Sequence, residues 1–111
     1  MKLARITAAQ ASFLEIEIVG RYTDDENSEY AAVAAIVGDH LHRSFGGGMA
    51  VPSTVLIDML LDVINGIDDE IEAAGKRDKR ALGRIGGVET VAEARRLHRT
   101  GSMLIEKARA A

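Results

Sequence analysis

Carboxylates are the most numerous groups able to do chemistry in this 111-residue chain, and five of them fall at helical spacing. Asp25, Glu26 and Glu29 share one short stretch, and Asp58 and Asp62 lie one helical turn apart in another. Paired carboxylate oxygens suit Mg²⁺, which would then position water against a phosphate. Asp39-His40-Leu41-His42 sets a carboxylate and an imidazole three residues apart, the spacing of two metal ligands on one helix. A carboxylate-bridged centre needs a matching group from a facing helix, and no second Glu/Asp-x-x-His pair exists. An ion pair from Asp39 to His42 or Arg43 is therefore the expectation. His98 stands alone among arginines, and no nucleophile constellation can be read. With no Cys, the chain holds no disulfide, zinc-thiolate site or cysteine nucleophile. The glycine-rich run from Gly46 to Thr54 leads into a helix start, a geometry that can cradle phosphate. It lacks the Lys-Ser/Thr of a P-loop and follows no strand, so it reads as an inter-helix loop.

Two family resemblances rest on these residues. Asp25-Glu26-x-x-Glu29 with Asp58 and Asp62 resembles the all-α nucleotide pyrophosphohydrolases of the MazG type, which hold Mg²⁺ on an E-E-x-x-E helix and an E-x-x-D helix. The resemblance implies an all-α, Mg-dependent enzyme acting on nucleotides. This chain departs from the pattern, because Asp58 and Asp62 are four apart rather than three and the first pair begins with Asp25. The second resemblance is that of Leu82 to Ala92 to a helix-hairpin-helix DNA-binding turn, which presents backbone amides to phosphate. Glu89 stands where that turn requires its second glycine, so the segment reads instead as a helix start capped near Glu89 or Thr90.

Charge supplies the more informative pattern. The net charge of −3 hides a split: residues 1–75 carry 13 acidic and four basic side chains, and residues 76–111 carry ten basic and four acidic. Lys76, Arg77, Lys79, Arg80 and Arg84 crowd a connector, and Arg95, Arg96 and Arg99 follow in the last segment. Complementary packing within the fold would account for the split, as would contact between acidic and basic faces of partners, where charge governs specificity and association rate. Nucleic-acid binding by the basic third is the alternative. That third contains no aromatic residue for base stacking. The balance favours protein contact.

Four helices must position these groups. Thr7-Ala-Ala-Gln10 has the capping-box form, so the first helix starts there, although Phe13-Leu-Glu-Ile-Glu-Ile-Val19 also alternates like a strand. An isolated strand has nothing to pair with, which favours helix. Thr23-Asp-Asp-Glu26 is a second capping box, followed by an apolar row at Tyr30, Ala34, Val37, Leu41 and Phe45. Pro52-Ser53 opens a third helix, apolar at Leu56, Leu60, Val63, Ile64, Ile67, Ile71 and Ala74. Its other face carries Asp58, Asp62, Asn65, Asp69 and Glu72, and Met59 fills core. The last helix, from about Val88 to Ala110, repeats every seven residues: Ala94, Gly101 and Ala108 on one row, Leu97, Leu104 and Ala111 on the other. Small residues there allow close approach of a partner helix.

The expectation is one all-α domain over residues 1–111, with an acidic part (1–75) and a basic part (76–111). Its three to four amphipathic helices would form a bundle or an intertwined homodimer. The function expected is non-enzymatic interaction or adaptor work through protein contacts and self-association. Ala94, Leu97, Gly101, Leu104 and Ala108 form the seam for it, with Arg95, Arg96 and Arg99 beside it. No cofactor, metal or membrane partner is called for, and nothing resembles a leader or spanning segment, which suggests a cytoplasmic protein.

Overall fold

Helix start signals and apolar stripes decide the architecture. A computed structural model describes residues 6–43, 53–75 and 90–110. Every element among them is helical: α1 (residues 8–22), α2 (Ser28–Arg43), α3 (Ser53–Gly75) and α4 (Val91–Ala110). No strand occurs among the described residues. The glycine-rich run up to Pro52 and the basic connector with Lys76, Arg77, Lys79, Arg80 and Arg84 lie outside them, as does most of the hairpin-like segment.

The capping box opens α1 as its residue types require. The Gln10 amide donates to Thr7 Oγ1 and the Thr7 amide donates to Gln10 Oε1, both at 3.1 Å. The helix then widens at Leu14–Val19 into a π-helical stretch, in which the Gly20 amide donates to the Glu15 carbonyl five residues back. Strand-like alternation here is overruled by helical geometry. Phe13, Leu14, Glu17 and Ile18 are buried together, whereas Ile16 is 49 % exposed. A strand would have put Ile16 on the same side as Leu14 and Ile18.

The start of α2 differs from the Thr23 capping box expected. Thr23 instead closes α1, its hydroxyl donating to the Val19 carbonyl. Asn27 takes the cap, its Oδ1 accepting from the amides of Glu29 at 3.1 Å and Tyr30 at 3.3 Å. An Asn side chain that satisfies two helix-end donors outcompetes a hydroxyl already bonded backward. Thr90 caps α4 by accepting from the Glu93 amide at 3.1 Å.

The core joins all four helices. Phe13, Leu14 and Ile18 of α1, Val33, Ala34 and Val37 of α2, Leu56, Met59, Leu60, Val63 and Ile67 of α3, and Ala94 and Leu104 of α4 are all buried. The most extensive interface is that between α3 and α4. Gly101 lies against Ile64, and His98 pairs with Asp68 at 3.0 Å, so the two helices run antiparallel. At the α1–α2 contact, Gly38 lets α2 approach the Val19 side chain closely. Lys107 Nζ donates to Gln10 Oε1 at 3.0 Å, joining the last turns of α4 to the start of α1.

Candidate interaction site

The seven-residue repeat of α4 faces inward. Ala94, Leu104 and Ala108 are almost wholly buried, Gly101 is buried, and Leu97 is half-buried against the core. Gly101 shows why the row must be small. A methyl group there would stand 2.7 Å from Ile64 Cδ1 and 2.8 Å from Phe13 Cζ. Within the folded chain, the helix that this seam admits closely is therefore α3, with α1 at its side. A second chain reaches the seam only by exchanging α4 itself.

Arg95, Arg96 and Arg99 occupy the other side of α4 and are exposed. Met103, 56 % exposed, continues their row one turn on. Complementary packing within the chain would have paired these guanidinium groups with the acidic face of α3. Between α4 and α3, His98 Nε2 lies 3.0 Å from Asp68 Oδ1. None of the three arginines has an ion-pair partner there.

The acidic residues gather elsewhere. The Tyr22 and Tyr30 rings meet edge to face, with centroids 5.5 Å apart and planes at 87°. Asp62, Asp58, Asp25 and Glu29 lie close enough to act on this pair. Tyr22 is held above the usual phenol range by burial, and then by the Asp62 carboxylate. Tyr30 is raised by desolvation first, then by the Asp62 and Asp58 carboxylates. These carboxylates thus act on the two phenols. Glu26, nearby in sequence, is exposed. Among the described residues no three His, Cys, Asp or Glu side chains are placed to hold a metal. His42, one of the two partners expected for Asp39 beside Arg43, lies 3.5 Å from Glu15 across the α1–α2 contact.

One buried charge escaped the sequence reading. Glu17 is 2 % exposed; its Oε2 accepts from Arg21 at 2.9 Å, and its Oε1 has no hydrogen-bond partner among the described residues. Its signal was available, since Gln10, Phe13, Leu14, Glu17 and Ile18 follow the helical core period. The competing alternation hid it. Tyr22, outside the apolar rows read from the sequence, was missed as well.

Compared with family models, curated proteins and solved structures, the chain matches none of them. Among the described residues no helix is long and apolar enough to cross a membrane.

Proposed function

We propose that the chain is a small non-enzymatic interaction or adaptor protein that works through protein contacts and self-association, with Arg95, Arg96 and Arg99 as its outward contact. The observation that carries this reading is the set of three exposed arginines without a carboxylate partner among the described residues, on a helix packed beside an acidic one. Like charges a turn apart repel modestly, and a partner of opposite sign relieves that repulsion while fixing register. The seam of Ala94, Leu97, Gly101, Leu104 and Ala108 has a supporting role in this reading. It holds α4 in a four-helix bundle so that the arginines point outward. An intertwined dimer would form the same seam contacts by exchange of α4. A cytoplasmic location goes with this reading.

Sedimentation equilibrium over the micromolar range tests it, with wild type compared against the triple variant Arg95→Ala, Arg96→Ala, Arg99→Ala. Wild type is expected to self-associate more weakly as salt rises, and the variant to remain monomeric. A wild type that stays monomeric throughout would remove self-association. Arginine-dependent, steeply salt-sensitive binding of single- or double-stranded nucleic acid by that monomer would replace it with phosphate recognition.

A further inference from the structure

Resting on that reading, we infer that the arginine face of α4 docks on the Tyr30 patch of a second copy, where Asp58, Asp62, Glu29 and Asp25 surround the tyrosine pair. Both surfaces are exposed, opposite in sign and unpaired with each other inside one chain. Arg95, Arg96 and Arg99 have no ion-pair partner among the described residues, and neither do Asp58 and Asp62. The Asp62 carboxylate is exposed and acts on Tyr30.

Spacing matches as well as sign. Arg95 and Arg99 are four residues apart on α4, and Asp58 and Asp62 are four apart on α3. Each pair therefore spans about 6 Å of helix axis, from 1.5 Å per residue. Two helices laid side by side can set both arginines against both aspartates. Each row, self-repelling alone, then gains the opposite charge at the same interval.

The chemistry of the patch suits arginine in particular. A guanidinium group is planar, binds carboxylates through parallel hydrogen bonds and stacks on aromatic rings. Tyr30 is half-buried, while Tyr22 beside it is nearly closed off. Buttressed edge to face by Tyr22, the Tyr30 ring is a fixed surface with carboxylates at its margin. A reciprocal pair of such contacts closes a two-fold dimer, whereas a one-way contact grows into a chain.

Charge exchange between two full-length variants tests the assignment. One carries Asp58→Arg and Asp62→Arg; the other carries Arg95→Glu, Arg96→Glu and Arg99→Glu. Each alone is expected to lose self-association by about tenfold or more, and an equimolar mixture to regain it as a mixed complex. Circular dichroism checks that both fold. Asp58→Asn with Asp62→Asn is the milder variant should reversal disturb α3, and it is expected to weaken association in the same direction. Self-association that both charge-reversed variants retain would overturn the assigned surfaces while leaving the self-association reading standing. Loss in the arginine variant alone, without loss in either aspartate variant, would place the arginines' partner elsewhere and overturn the Tyr30 patch. A wild type that is monomeric at every concentration would overturn both readings at once.

Discussion

Gly101→Ala and Gly66→Ala are the same chemical change in two helices packed against each other, yet opposite outcomes are expected. A helix gains about 1 kcal/mol when an interior Gly becomes Ala. At Gly66 nothing among the described residues lies within 4 Å of the added methyl, so most of that gain should appear as stability. At Gly101 the methyl would stand 2.7 Å from Ile64 Cδ1, 2.8 Å from Phe13 Cζ and 3.2 Å from Phe13 Cε2. Carbon atoms settle at about 3.5–4.0 Å, so the overlap approaches 1 Å on two sides. The Ile64 methyl can rotate aside, but the Phe13 ring is rigid and 1 % exposed. Relief therefore requires α4 to back away from α1 and α3, loosening Leu104 and Ala108 as it goes. Overpacking of this kind costs about 1–3 kcal/mol, which outweighs the helix gain. Gly101→Ala should thus lower stability by up to about 2 kcal/mol and Gly66→Ala raise it by about 0.5–1 kcal/mol. Urea unfolding of the two variants at constant m-value measures both. In thermal melts each kcal/mol is worth about 4 °C for a domain of this size. Equal stabilisation by both substitutions would mean that α4 does not rest on Phe13 and Ile64, and the inward placement of the seam would fall with it.

Three further outcomes follow from the same contacts. Glu17→Met removes a carboxylate oxygen buried without a partner among the described residues and leaves Arg21 exposed to water, so it should stabilise by about 1 kcal/mol in urea titrations. A large loss would instead show that Oε1 is bonded. The Tyr22 phenol is raised in the fold, so its contribution to stability is complete below the ordinary phenol range and is lost as pH rises through the folded value. Melting temperatures taken from pH 8 upward should fall at alkaline pH, and less steeply in Tyr22→Phe. Thr90→Ala deletes the hydroxyl that accepts the Glu93 amide and should cost about 1 kcal/mol, read by thermal denaturation.

Local signals in the sequence explain why the helices were legible. The Thr7–Gln10 box, the Thr90 cap and the apolar rows of α2 and α3 depend on neighbours three and four residues away, and their side chains lie where those intervals put them. The acidic row of α3, from Asp58 to Glu72, is exposed for the same reason. Competition between nearby signals was harder to resolve. Thr23 and Asn27 both offer a cap, and only the backward bond of Thr23 shows which of them is free to serve α2. The seven-residue repeat of α4 announces a close helix contact without naming the helix. That identity resides in the fit of Gly101 to Phe13 and Ile64, residues far away in sequence. The Tyr22–Tyr30 pair likewise forms only when α1 and α2 fold back together, so the sequence shows Asp25, Glu29, Asp58 and Asp62 only as acidic residues at helical spacing in two separate stretches.

The bond from Lys107 to the Gln10 carboxamide spans 97 positions of the chain, and it has a bearing on synthesis. A ribosome delivers α1, α2 and α3 well before α4. During that interval Phe13 and Ile64 lack the helix that covers them, and Gln10 lacks the ammonium group that it receives last. Contacts of such long range slow folding, because the ends must meet before the gain arrives. Until α4 is made, Phe13 and Ile64 therefore form a bare apolar surface shaped for that helix.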